Sequence, residues 1–228
     1  MKCNASVMMK RGLILLSWTV LVTGCVGSPE QPRNEPMRAT GSTLSTSPQA
    51  RACYASLGAT QASFSPLPDQ YHSPGCATLG TVKLNSLSSD GGRLEVSNLG
   101  PVACPVASAL QGGARFGVDR AARQILGSEL VRIETMGSFS CRNVAGTNRL
   151  SAHATANAVD VSAFRLADGR RISVLNDWNS PSPQVRAFLR TVRDSACKRF
   201  GTVLSPDYNA AHRDHFHFET GELKAFCR

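Results

Sequence analysis

The sequence predicts an α+β domain on three observations. Residues 130–136 alternate Val131 and Ile133 with Arg132 and Glu134, the period-2 pattern of a half-buried strand. Val118, Ala121, Ala122, Ile125 and Leu126 instead recur at three- and four-residue spacing, the pattern of an amphipathic helix. The two patterns do not follow a regular βαβ rhythm, which favours α+β over a parallel α/β fold, and no repeat or heptad run supports a solenoid or coiled coil.

In chain order, Leu94-Glu95-Val96 reads as a short strand entered from a hairpin turn at Asp90-Gly91-Gly92. No Lys-Ser/Thr or helix follows those glycines, so they are no phosphate loop. Residues 158–164 and 171–175 read as further strands. Ser182-Pro183 suits the cap and first turn of the longest helix, which carries Val185, Phe188, Leu189, Val192, Ala196 and Phe200. Strands over 202–204 and 216–220, joined by a loop over 205–214, close the domain. Trp178 and Phe164 are expected in the core rather than in a groove wall, and His72 in a loop.

Ahead of the domain, Lys10 and Arg11 precede an apolar run over 13–22 that ends in Val22-Thr23-Gly24-Cys25. The run is too short to span a bilayer stably but suits a signal peptide. A small residue followed by cysteine resembles a bacterial lipobox, so residues 1–24 are expected to be cleaved and Cys25 to carry the lipid. Residues 25–51, rich in Ser, Thr, Pro, Gln and Asn, read as a disordered polar tether. Residues 52–228 are long enough for one domain with its own core.

The whole chain is formally +9; three of its 25 basic and none of its 16 acidic residues lie in the leader, leaving 22 against 16, or +6. The basic residues are scattered, so nucleic acid is not the expected partner; an exported protein meets anionic envelope polymers. Six cysteines remain in the domain: Cys53, Cys76, Cys104, Cys141, Cys197 and Cys227. An even number without CxxC spacing reads as three disulfides and argues against a thiolate metal site. Proximity suggests Cys53 with Cys76 and Cys197 with Cys227, though spacing does not fix the pairing.

Two stretches hold the chemistry. In Ser151-Ala-His153-Ala-Thr-Ala-Asn-Ala-Val-Asp160, a straight strand would separate His153 from Asp160 by about 23 Å and a straight helix by about 10 Å. Neither lets both reach one ion at about 2 Å, so the chain must double back, and Ala154, Ala156 and Ala158 suit a tight loop entering a strand. The second stretch, residues 211–219, holds three of the five histidines, His212, His215 and His217. On a strand, 215 and 217 share one face while Phe216 and Phe218 face a core. His153, Asp160 and His217 suit zinc with a fourth position open to water. Asp214, in the turn before the strand, is the candidate base, and His212 either orients a ligand or pins the 205–214 loop.

Ser151-x-His153-x6-Asp160 followed by Asp214-x-x-His217 resembles the zinc peptidases of bacterial cell walls, the D-Ala-D-Ala carboxypeptidases and L-Ala-D-Glu endopeptidases. Closer still is the bacterial extensin-like C-terminal domain family. That resemblance rests on Gly137-Ser-Phe-Ser-Cys-Arg142, the SAHATANAVDVSAF block, the Phe188-Leu-Arg190 helix with Cys197 and Phe200, Pro206-Asp-Tyr-Asn-Ala-Ala-His212 and Cys227-Arg228. It implies a small mixed sheet flanked by helices, hedgehog-like and braced by disulfides. It also implies His153, Asp160 and His217 as zinc ligands and Asp214 as base, with Ser151 and His212 around them. His215 would hydrogen-bond the tetrahedral intermediate, and Arg142 would hold its oxyanion or a substrate carboxylate. Where the peptidases usually carry glycine this chain has Ala156, which puts the path of that loop in question. The function expected is zinc-dependent hydrolysis of amide bonds in peptidoglycan peptides by a monomer anchored through lipid in the periplasm, with the outer membrane favoured. The alternative is a non-catalytic envelope module on the same scaffold, binding wall polymer or a protein partner.

Overall fold

The structure, a computed structural model, describes residues 43–221 and 226–228. The expected leader, the lipidation site Cys25 and most of the expected tether lie outside the described residues. The elements run α1 (Pro48–Gly58), β1 (Ser63–Pro66), β2 (Gln70–Ser73), β3 (Cys76–Thr78), β4 (Thr81–Ser88), β5 (Arg93–Ser97) and β6 (Pro101–Ala103). Next come α2 (Cys104–Gly113), β7 (Leu130–Gly137), β8 (Ala158–Leu166), β9 (Arg171–Ser173), α3 (Val174–Asp177) and α4 (Pro183–Ala196). The chain ends with β10 (Thr202–Leu204), β11 (Phe216–Glu219) and β12 (Phe226–Cys227). α1 begins inside the stretch read as tether because Ser47 caps it, its hydroxyl accepting from the Ala50 amide, and proline opens the first turn.

The α+β class is as expected, but the sheet is large rather than small. Ten strands form one mixed sheet in the order β1-β4-β5-β7-β8-β11-β10-β12, with β6 also on β4 and β9 also on β8; β2 and β3 form a separate hairpin. β4 is an element that the sequence patterns did not announce: Val82 and Leu84 alternate with Lys83 and Asn85, but the alternation ends there, since Ser86, Leu87 and Ser88 are all buried. Asp90-Gly91-Gly92 does turn the β4–β5 hairpin.

Two local expectations change. The helix read around Val118 to Leu126 continues from α2 but runs through π-helical turns, Ala114–Asp119 and Ala122–Leu126. Inside it Asp119 is fully buried, its carboxylate accepting from the Leu130 amide and the Arg123 guanidinium, so it anchors the start of β7. The strand expected over 171–175 stops at Ser173, because that serine caps α3. Its hydroxyl accepts from the Asn176 amide, and the Asp177 carboxylate accepts from the Ser173 amide, a reciprocal pair that favours helix over strand.

The core lies between the sheet and the helices. α4 supplies Phe188, Leu189, Val192 and Ala196, and these meet Phe164, Phe216 and Phe218 of β8 and β11. Phe164 packs edge-on against Phe188 with centroids 5.5 Å apart, and Phe216 stacks on Phe218 at 5.7 Å. Trp178 is buried, donates to Asp207 and lies under the Arg190 guanidinium, so it is a core residue as expected.

All six domain cysteines form disulfides, but one suggested pair is overturned. Cys53 bonds Cys104 and Cys76 bonds Cys141, while Cys197 bonds Cys227 as suggested. α1 packs on α2, which brings Cys53 to the first residue of α2, whereas Cys76 lies on β3 beside the loop that leaves β7. Proximity in sequence failed because tertiary packing, of α1 on α2 and of β3 beside the loop after β7, decides which cysteines meet.

Candidate metal centre

β8 and β11 are antiparallel neighbours in a register that sets His217 directly opposite Asp160. Phe216 and Phe218 go into the core, so His217 and Glu219 project to the other face of the sheet. His153 arrives from the loop between β7 and β8. Residues Ala152–Thr155 form a 3-10 turn, started by the Ser151 hydroxyl, which accepts from the His153 amide. Ser151 therefore shapes the turn that carries His153, and its contact is with that turn's backbone.

The turn ends at Ala156, which has φ 54° and ψ 22°. This left-handed conformation is free for glycine and costs other residues roughly 1–2 kcal/mol. It lets the chain reverse into β8 and bring His153 back over Asp160. Ala154, Ala156 and Ala158 are all fully buried, so the small side chains of this block are those that a reversed, enclosed loop can accommodate.

Nε2 of His153 lies 3.2 Å from Oδ2 of Asp160 and 3.1 Å from Nδ1 of His217, which is 2.9 Å from Oδ1 of Asp160. All three side chains are buried, and they form a cluster suited to holding a metal ion. The edges of a tetrahedral zinc site with bonds of about 2.0–2.1 Å are about 3.3 Å, so the three heads are spaced close to what such an ion needs.

The outer nitrogens of both rings are occupied. His153 Nδ1 is 2.6 Å from the Ser138 carbonyl, which can only accept, so this nitrogen carries the proton and Nε2 turns a lone pair inward. Nε2 of His217 lies 3.4 Å from Oε2 of Glu219, which likewise leaves Nδ1 to face the centre. Ser138 is itself fixed, its hydroxyl donating to the carbonyls of Ala156 and Ala158 and its amide to that of Leu99. Two ring nitrogens and a carboxylate thus converge at about 3 Å, an arrangement that a cation between them would satisfy.

Without a metal, a proton on His217 can fill that role. Burial would lower the His217 pKa, but hydrogen bonds to Asp160 and Glu219 prevail and raise it to about 9. Burial would raise Asp160, yet the imidazoles of His153 and His217 beside it hold the carboxyl well below its usual range. The stability from His217 is fully present below its unfolded pKa of about 6.5 and is lost as pH rises through about 9. That from Asp160 is present above about 3.9 and is lost only in stronger acid. We therefore expect the thermal midpoint of EDTA-treated protein to fall between pH 6.5 and 9 while that of zinc-loaded protein does not. Zinc binding at pH 7 should release a proton, measured by calorimetry in buffers of different ionisation enthalpy.

Around this core the other candidates divide. His215 comes inward, with Nε2 3.7 Å from Oδ1 of Asp160. Asp214 lies in the turn before β11, as the sequence suggested, but its Oδ1 accepts from Nδ1 of His215 at 2.8 Å. That bond puts Asp214 behind His215 instead of on the centre, and the imidazole is the nearer of the two. Of the two readings of His212, the observed hydrogen bond is the one that pins the loop. Its Nδ1 donates to Asn209, which pins the loop, and its ring lies 5.2 and 6.0 Å from those of His215 and His217. Burial, together with those two histidines, pushes the His212 pKa down to about 4, so it is neutral at pH 7. Arg142 stands at the rim, half exposed, with Nη2 4.0 Å from Oδ2 of Asp160. The Cys76–Cys141 disulfide and the bond from the Ser151 amide to the Arg142 carbonyl hold its backbone. His72 is on β2 rather than in a loop, with Nε2 3.1 Å from Thr78 and its ring on Phe139.

Two residues of the site had no role in the sequence reading. Glu219 was detectable, since it lies two residues after His217 on a strand and so shares its face. Ser138 acts through a backbone carbonyl, which no side-chain pattern announces.

A family model described as "Extensin-like protein C-terminus" matches residues 51–228. The chain belongs to the extensin-like C-terminal family. The match takes in every residue of the centre, from Ser138 to Glu219, and all three disulfides of this extensin-like domain. No curated protein and no solved structure matches the chain.

Proposed function

We propose that this extensin-like protein is a zinc-dependent hydrolase of amide bonds in peptidoglycan peptides, held in the cell envelope by a lipid on Cys25. The observation that carries this reading is the convergence of His153 Nε2, Asp160 and His217 Nδ1, with a His–carboxylate pair and a guanidinium beside it. The resemblance to cell-wall carboxypeptidases and endopeptidases supplies the substrate class. The signal-like leader and three disulfides favour an exported, oxidised setting.

A bound zinc ion supplies Lewis acidity, polarising the scissile carbonyl and acidifying water. The protein supplies the rest. His153 and His217 present fixed lone pairs because Ser138 and Glu219 hold their far nitrogens. His215 offers Nε2 beside the centre as proton acceptor, and Asp214 orients the ring and stabilises it once charged. Arg142, at the rim, meets the developing oxyanion or a carboxylate of the peptide. His212 closes the wall behind His215 and His217.

Full-length protein loaded with zinc is expected to release new amino groups from isolated peptidoglycan, and EDTA to abolish the release. Zinc-loaded protein that binds peptidoglycan but leaves every peptide intact would contradict the hydrolase reading and favour a binding module.

A further inference from the structure

The face of the sheet that carries Asp160 and His217 continues beyond the centre along β8. Val159, Val161, Phe164 and Leu166 enter the core, so Asp160 and Arg165 both belong to the opposite face, with a bulge between them. At the Arg165 level the strands line up three arginines: Arg132 of β7 is opposite Arg165 of β8, which is opposite Arg171 of β9. Like charges directly opposite one another in a sheet are destabilising, so such a row needs anions.

Resident acids answer only part of that need. Glu134 bridges Arg165 and Arg171, one carboxylate oxygen to each. Glu95 takes Arg132. Among the described residues no acid bridges Arg132 and Arg165, and Arg93, the fourth guanidinium, has no acidic partner. Arg93, Glu95, Val131, Arg132 and Arg165 line an open cleft of about 380 Å³. Three guanidiniums of the cleft, Arg93, Arg132 and Arg165, face the single carboxylate of Glu95, and the three arginines of the row keep 39–45% of their side-chain surface exposed.

We propose that this cleft is an anion subsite that takes carboxylates of the polymer whose amide bond lies at the metal centre. The bridge that Glu134 makes between Arg165 and Arg171 is the template: a planar carboxylate fits between neighbouring guanidiniums, and the Arg132–Arg165 gap is open to one from outside. Asp160 and Arg165 are separated by about 15 Å of strand, which an extended peptide covers in four or five residues. The subsite would thus read acidic residues four or five positions from the reacting bond and favour cross-linked or polymeric peptides over a short free tail. The link to that bond rests on the hydrolase reading above; the anion subsite itself does not.

The test is co-sedimentation of full-length, EDTA-treated protein with insoluble peptidoglycan, native and with its carboxyl groups amidated. An R132Q/R165Q variant is compared with R115Q/R120Q, which removes the same charge from the exposed Asp90 pairs elsewhere on the domain. R132Q/R165Q is expected to bind native polymer at least tenfold more weakly than wild type, and R115Q/R120Q within twofold of it. Amidation should weaken wild type by a similar factor and leave R132Q/R165Q unchanged. Equal losses in both double variants, wild-type binding by R132Q/R165Q, or indifference to amidation would each overturn the subsite. Because binding is read without metal, arginine-dependent binding with no hydrolysis after zinc loading sinks the hydrolase reading alone, and hydrolysis with arginine-independent binding sinks this inference alone.

Discussion

Asp160→Ala is expected to lose zinc on dialysis and all measurable amide hydrolysis. Asp160 is the only carboxylate in the three-residue cluster, and both imidazoles lean on it at 2.9 and 3.2 Å. Its removal leaves two neutral nitrogens that must hold a dication without a countercharge. The loss of metal affinity should exceed the roughly 10–100-fold typical when a group that only orients a ligand is lost, which is the range expected for Glu219→Ala. Metal-to-protein ratios across a zinc-buffer series check both. Asp160→Ala with wild-type zinc affinity would show that the cluster is a hydrogen-bonded core and no metal centre.

The second large effect concerns the pair behind the centre. His215→Ala and Asp214→Ala are each expected to lower kcat by about 10²–10⁴ while zinc content stays at the wild-type level. His215 is the nearer group, so its loss should be the greater, and the double variant should be little worse than His215→Ala because the two act as one unit. His217→Ala, by contrast, should lose metal and turnover together. Steady-state rates on a purified peptide substrate, paired with metal analysis of the same samples, separate these patterns. Turnover unaffected by Asp214→Ala would remove its role in proton transfer; a zinc-bearing protein that is inactive throughout would point to the envelope-binding module.

Much of this cluster was legible in the residues because Asp160 and His217 lie on strands with clear periods. The alternation through His215-Phe216-His217-Phe218 fixed which side chains face the core, and β11 delivers that division. The seven-residue gap from His153 to Asp160 required a reversal, and the 3-10 turn closed by Ala156 provides it. The contact of Asp214 was not legible, since a turn residue's side-chain direction depends on which neighbour is in reach, and here His215 is closer to hand. The Cys53–Cys104 and Cys76–Cys141 pairs were hidden for a related reason: each joins segments more than 50 residues apart, brought together only by the packing of α1 on α2 and of β3 beside the β7 exit loop. The size of the sheet was not legible where strands such as β4 keep the apolar alternation for only half their length, Val82 to Asn85, and then bury polar and apolar residues alike.

The most direct test of the central claim is the metal content and coordination of the purified protein, by elemental analysis and X-ray absorption at the zinc edge. One zinc per chain, bound by two imidazole nitrogens and a carboxylate oxygen and lost in His153→Ala, is the predicted result. A protein that retains no divalent ion after dialysis against micromolar zinc, with an unchanged thermal midpoint when zinc is added, would contradict it.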